Sequence, residues 1–442
     1  MDTSNFTRFD HPIPRWFTDA KFGIFIHWGV YSVPAWAEPT GELGTVEEST
    51  WFAHNPYAEW YFNTIRIEGS PASKHQKEVY GDAPYDNFLD QWKASKFNPE
   101  DWAKLFSKAG AQYVIPTTKH HDGITLWDAP GTGTRNTVAR GPKRDLVGEI
   151  GKAVRGAGLK FGVYYSGGLD WSVSTYPPIT TGAHVIGYRP KDAAYAMYCY
   201  EHIIDLIDRH KPDILWNDIE YPDFAKCEGE YSLATIFDHY YKTVPQGVVN
   251  DRWGVPHQDY KTSEYQFMLD NEGGGAWENC RGIGLSFGYN QVETEDHYLS
   301  TDGAIHHLID IVSRGGNLLL NIGPTADGEI PAFQRKVLEG IGKWMEVNSE
   351  AIYATVVADD AEPSDKPWVR WTAKGNKRFA IIDAKGPIEF AAINGATYER
   401  SAIVLGGGAI PFTSMGGKIA MTLPTTKIDG PLVVEFSTLN CQ

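Results

Sequence analysis

DILWND (213–218) opens on an acid, runs through three large apolar side chains and stops on Asn217 and Asp218. A short apolar run that ends in polar residues predicts a strand buried on both faces. Seven further stretches share this form: FGIFIHWG (22–29), QYVIPTTKHHDG (112–123), KFGVYYSGG (160–168), GVVNDR (247–252), YKTSEY (260–265), LSFGYN (285–290) and NLLLNIG (317–323). Helical patterns lie between some of them. In 193–210, Tyr200, Ile203, Ile204 and Ile207 form one apolar stripe at i, i+3, i+4, i+7. Residues 145–157, 232–243 and 331–346 also predict helices, the last opening at Pro331. Eight strands alternating with helices predict an α/β fold, a (β/α)8-like (TIM) barrel. The barrel is expected to be partly degenerate. Arg252 to Tyr260 is too short for a helix, and 266–284 is Gly-rich without a helical period. An open doubly wound sheet is the rival, but no GxGxxG follows the first strand.

The pattern changes near residue 350. WVRWTAKGNKRFAIIDA, IEFAAINGATYERSAIVLG, GKIAMTLPTT and PLVVEFSTL carry β-formers broken by Gly, Asn and Pro. They predict a C-terminal antiparallel β-sandwich. The expected division is a barrel over 1–350 and a sandwich over 351–442, which suits a chain of 442 residues. The Trp- and Pro-rich stretch 30–110 would join the loops at the barrel's active end.

Composition excludes several classes. With 40 Lys and Arg against 56 Asp and Glu, the net charge is −16 and no basic run occurs, so a nucleic-acid partner is not expected. No 18-residue apolar run is present, so no membrane partner is expected either. The four cysteines, Cys199, Cys227, Cys280 and Cys441, form no CxxC pair, which argues against a zinc site or a disulfide framework. The N-terminus has neither a basic nor an apolar leader region, so the cytoplasm is the expected location; a leader upstream would make the protein secreted. Homo-oligomers stay open. With 15 Trp, 23 Tyr and 20 Phe, aromatics are abundant, as in sites that stack sugars, although most rings serve packing.

In such a barrel the strand C-terminal ends hold the site. Here they carry His27, His120, His121, Tyr164, Trp216, Asp218, Arg252, Glu264 and Phe287. A metal centre from the histidines and Asp218 is disfavoured: adjacent histidines on a strand point to opposite faces, and no HxH occurs. No metal and no cofactor are therefore expected. A carboxylate pair for glycoside hydrolysis fits better. Asp218 and Glu264 stand on different strands, and alternation puts Trp216 on the same face as Asp218.

The stretches WFTDAKFGIFIHWGVYSVPAWAEPT, YAEWYFN, TTKHHDGITLWD, FGVYYSGGLDW, LWNDIEYP, VNDRWG, KTSEY, RGIGLSFGYN and VSRGGNLLLNIGPTADGEIP resemble the α-L-fucosidases of glycoside hydrolase family 29, from near Trp16 to about residue 440. The resemblance implies a (β/α)8-like barrel followed by a β-sandwich. It implies a retaining exo-α-L-fucosidase acting on fucosylated oligosaccharides or glycoconjugates. Asp218 would be the nucleophile and Glu264 the acid/base, with Glu59, Glu220, Glu272 and Glu278 as competitors for the second role. His27, Glu59, Trp60, His120, His121, Tyr164, Trp216, Arg252 and Phe287 would bind fucose, Trp60 and Phe287 facing its C6 methyl. The alternatives are a glycosidase of related specificity, such as an α-L-galactosidase, or an inactive carbohydrate-binding protein on the same scaffold.

Overall fold

The structure, a computed structural model, describes residues 4–81, 83–266, 275–398, 401–425 and 429–438. Its first part is built on eight parallel strands: β1 (Phe22–Ile26), β2 (Tyr113–Lys119), β3 (Lys160–Ser166), β4 (Ile214–Asp218), β5 (Val248–Val249), β6 (Lys261–Glu264), β7 (Trp277–Gly282) and β8 (Asn317–Ile322). They lie side by side in the order β5-β4-β3-β2-β1-β8-β7-β6.

Residues on these strands alternate between two cores, because successive side chains leave a strand on opposite faces. Ile24, Ile26, Val163 and Leu215 pack outward against the helices. Phe25, Tyr164, Trp216 and Leu319 pack inside the ring. The helices Pro99–Ala109, Leu146–Gly156, Ala193–His210, Leu233–Thr243, Thr301–Ser313 and Ala332–Asn348 supply the outer layer. Four of the predicted helices thus form close to their expected bounds. Asn98, Asp145, Asp192, Ser232 and Ser300 cap five of these N-termini with a side-chain acceptor.

The expected degeneracy lies between β5 and β6. Among the described residues no ladder joins them and no helix separates them. Side chains stitch the seam instead. Asp259 Oδ2 accepts from Val249 N at 2.7 Å, and Arg252 Nε donates to Thr262 Oγ1 at 2.9 Å.

One strand differs from expectation. LSFGYN is not the seventh strand; WENCRG (277–282) is, and 285–290 forms the loop that follows. Glu278 and Asn279 look too polar for a buried strand, yet both are fully buried with private partners. Trp216 and Tyr113 donate to Glu278, and Asn279 meets Ser263 and His307.

Beyond the barrel, antiparallel strands between Val356 and Ser437 form two sheets, one of seven strands and one of three. Trp371, Phe390, Ile419, Met421 and Phe436 fill the space between them. Their contact with the barrel runs through Thr301–Ser313 and Ala332–Asn348. Arg370 pairs with Asp310, His306 meets the Trp368 ring, and Trp344 Nε1 donates to Pro431 O at 2.9 Å. His307 Nε2 lies 2.9 Å from Asn279 Oδ1, so both histidines of this helix are engaged with neighbouring elements. No helix among the described residues is long and apolar enough to cross a membrane.

Candidate active site

A cavity of about 240 Å3 opens at the C-terminal ends of the strands. All eleven predicted site residues line it: His27, Glu59, Trp60, His120, His121, Tyr164, Trp216, Asp218, Arg252, Glu264 and Phe287.

Asp218 is the last residue of β4, one inward position beyond Trp216. Its side chain is only 11% exposed. Tyr164 Oη donates to Oδ2 at 2.8 Å, and Arg252 Nη1 donates to Oδ1 at 2.9 Å. Burial pushes the carboxyl up, but the Arg252 cation and the hydrogen bonds from Arg252 and Tyr164 outweigh it, so Asp218 is held below the ordinary value. The next residues, Ile219 and Glu220, both have positive φ, 55° and 67°. For a β-branched residue that is a strained conformation. Gly168 makes room for it, since a Cβ there would overlap the Ile219 carbonyl.

Glu264 ends β6, across the seam. Tyr57 Oη donates to Oε1 at 3.1 Å, and Arg252 Nη2 donates to Oε2 at 3.3 Å. Burial raises its pKa and the neighbouring Asp218 charge adds to the rise; the pull of Arg252 does not cancel them. One guanidinium therefore spans two carboxyls whose proton affinities are driven apart. Its carbon lies 4.6 Å from the centre of the Trp216 ring, which supports the fork from below.

The histidines are held neutral by burial, His27 down to about 3 and His121 to about 4. Asn321 Nδ2 donates to Phe287 O, so its Oδ1 faces His27 Nδ1 at 2.7 Å and fixes the N–H there. Ser166 Oγ donates to Leu169 O and so accepts from His121 Nδ1 at 2.7 Å. This leaves His121 Nε2 3.7 Å from Asp218 Oδ2. His120 and His121 do not point to opposite faces as expected. They lie beyond the last residue of β2, in a turn, with ring centres 4.0 Å apart and both facing the cavity. Among the described residues no group of three His, Cys, Asp or Glu could hold a metal ion.

The sequence of residues 3–350 matches the alpha-L-fucosidase family. The chain belongs to that family of glycoside hydrolases. Within the alpha-L-fucosidase family it is similar to the human tissue alpha-L-fucosidase, 36% identical over 395 residues that cover 84% of this chain and 76% of the relative. It is also similar to the Thermotoga maritima alpha-fucosidase solved with fucose. That structure is 45% identical, has a TM-score of 0.87, and is matched over 96% of this chain and 97% of its own. The same Thermotoga protein solved with a mechanism-based inhibitor is 45% identical with a TM-score of 0.87, over 97% of each chain.

Against this alpha-L-fucosidase fold, the competing glutamates separate clearly. Glu59 lines the cavity, where burial lifts it to about 7 while Gly288 N and Ser286 Oγ donate to it at 2.7 and 3.1 Å. Glu220 turns away from the cavity into an ion cluster with Arg189 and Lys226. Glu278 lies inside the barrel beneath Trp216. Glu272 lies outside the described residues.

Sequence reasoning missed Phe25, Tyr57 and the rim formed by Leu43, Trp51, Phe52 and Val185. Phe25 was findable, two residues before His27 on the same face of β1. Tyr57 and the rim come from long excursions between strands, where no period marks them.

Proposed function

We propose that the chain is a retaining exo-α-L-fucosidase acting on fucosylated oligosaccharides or glycoconjugates. Asp218 is the nucleophile and Glu264 the general acid/base. The observation that carries this reading is the Asp218–Arg252–Glu264 bridge. Both carboxyls lie on one guanidinium, one depressed and one raised. Retaining enzymes need carboxyls about 5–5.5 Å apart, whereas inverting ones leave about 6.5–9.5 Å for a water. One guanidinium holds both carboxyls, so the gap between them is the quantity on which the retaining assignment turns.

In the first step Asp218 attacks the anomeric carbon while Glu264 gives its proton to the leaving oxygen. The ester that forms removes the Asp218 charge, which lowers the proton affinity of Glu264. Glu264 then takes a proton from water, which displaces Asp218 with a second inversion. Sites for drug-sized ligands run to about 300–1,000 Å3. A cavity of about 240 Å3 suits one sugar and hence attack at chain ends. Trp60 and Phe287 give the apolar wall that a C6 methyl needs. The Thermotoga relative was solved with fucose and with a mechanism-based inhibitor, which supports the same reading here. Residues 1–350 form the catalytic unit in this proposal, and 351–442 form the supporting sandwich.

The test is an aryl α-L-fucoside assay on the wild type and on Asp218→Ala. The wild type should release α-fucose first, seen by NMR, and be slow on the matched α-L-galactoside. The variant should lose several orders of magnitude, and azide should restore turnover. Near-wild-type activity in Asp218→Ala, or initial release of β-fucose, sinks the assignment.

A further inference from the structure

The carboxylate of Glu278 has no part in the two-step chemistry, yet it lies at the centre of the barrel. It is on β7, where Thr262 and Glu278 pair in register and Glu264 pairs with Cys280. Glu278 is thus one inward layer beneath the level of Glu264. It is fully buried, and it does not line the sugar cavity. Trp216 Nε1 donates to its Oε1 at 3.0 Å, and Tyr113 Oη donates to its Oε2 at 2.6 Å. Both oxygens are occupied, and the indole stands between them and the pocket.

What Trp216 touches on its other sides gives the arrangement its consequence. The Arg252 guanidinium rests 4.6 Å above the indole ring. Tyr164 stacks beside it at 5.4 Å with the ring planes 25° apart. Arg252 and Tyr164 are the two side chains that hold Asp218. The indole is therefore the floor on which both supports of that carboxylate rest. A tryptophan has only one polar atom with which to fix the rotation of its ring, and here that atom is spent on Glu278. A carboxylate needs two donors in a dry interior, and Tyr113 supplies the second.

We propose that Glu278 is a positioning residue for Asp218, acting through the Trp216 indole. This rests on the fucosidase reading above. It also states what Glu278 is not: with both oxygens bonded and the indole in between, it cannot pass a proton to a leaving group in the pocket. Loss of the Glu278 carboxylate leaves Trp216 Nε1 unpaired, lets the ring tilt, and moves Arg252 and Tyr164 together. Misplacement of a reacting group by about 1 Å costs about 100-fold in rate.

The experiment compares wild type, Glu278→Met, Trp216→Phe and the double variant on two aryl α-L-fucosides, one with a good and one with a poor leaving group. Methionine keeps the length of the side chain and offers the indole no oxygen, whereas glutamine would still accept from it. Glu278→Met should lose about 100-fold, mostly in kcat, by the same factor on both substrates and with no rescue by azide. In the Trp216→Phe background, which lacks the indole N–H, the same change should cost less than about threefold, because the coupled contact is already gone. A loss several-fold larger on the poor leaving group, or rescue by azide, would make Glu278 the acid/base and overturn the proposal. So would two losses that simply multiply, or a Glu278→Met enzyme within threefold of wild type. Where Glu278→Met fails to fold, Glu278→Asp carries the same two-substrate test with the carboxylate drawn back. A wild type inactive on both fucosides refutes the reading beneath; an active wild type with independent losses refutes this proposal alone.

Discussion

Replacing Arg252 by Met would keep most of the side chain's bulk and remove its charge. Arg252 Nη1 lies 2.9 Å from Asp218 Oδ1, and the Asp218 side chain is 11% exposed. Opposite unit charges about 4 Å apart attract by about 4 kcal/mol at an effective dielectric of about 20. One pKa unit corresponds to about 1.4 kcal/mol. The ceiling is therefore a rise of about three units at Asp218; Tyr164 donates in both forms and leaves the difference unchanged. Glu264, held by the longer 3.3 Å contact, should rise by about one. The signs follow from the roles. Asp218 acts ionised, so a higher pKa moves the acid limb of kcat/KM against pH upward. Glu264 acts protonated, so a higher pKa moves the basic limb upward as well. The whole bell should slide toward alkaline pH, and activity at pH 5 should fall relative to activity at pH 7. The assay is kcat/KM on an aryl α-L-fucoside from pH 3 to 10. Limbs that stay in place, or an acid limb that moves down, would refute the claim that Arg252 sets both proton affinities. Arg252→Lys should restore the acid limb only in part, because a point charge cannot fork to two carboxyls.

Tyr57→Phe removes the donor to Glu264 Oε1, which sits 3.1 Å away. A hydrogen bond to a charged group contributes about 1.5 kcal/mol, so the basic limb should rise by about one unit while the acid limb stays. A basic limb that stays put or falls counts against it. Glu293 is raised by burial to about 8, and its Oε1 accepts from Ser286 N at 2.8 Å. Such a group contributes stability below its unfolded pKa near 4.3, and that contribution is lost as pH rises through its folded value. Buried histidines work the other way but have finished titrating by about pH 7. Between pH 7 and 8.5 the melting temperature should therefore fall in the wild type and fall less in Glu293→Gln. Equal slopes in a thermal-shift series would refute this.

The barrel was legible because most of its strands are apolar on both faces, as in FGIFI and NLLLNI. The seventh was not, for a specific reason. In WENCRG the buried polar residues are each satisfied by a distant side chain, such as Tyr113, Trp216 or His307. Hydropathy registers polarity and not its satisfaction, so the apolar LSFGYN drew the assignment instead. That loop still supplies Phe287 to the cavity and Ser286 and Gly288 to Glu59, so the chemistry stayed visible although the element did not. The strand-end residues could be read one by one. Tyr57 could not, because its partner Glu264 lies 207 positions away. The two adjacent histidines misled through a boundary. Alternation holds within β2, but the strand ends at Lys119, and a turn sets the directions afterwards.

The unlatched seam between β5 and β6 also determines how the distance across the site is set. Neighbouring strands in a ladder are held about 4.8 Å apart by the backbone, and any change there must shift a whole register. Asp218 stands on one side of the seam and Glu264 on the other, with no ladder between them among the described residues. The gauge of the site is the span of one arginine side chain, anchored sideways on Thr262. Such a gauge can be reset by a single substitution while every strand keeps its place. It can also yield slightly as the sugar carbon travels toward one carboxylate and back, a freedom that a sealed ring of ladders would withhold.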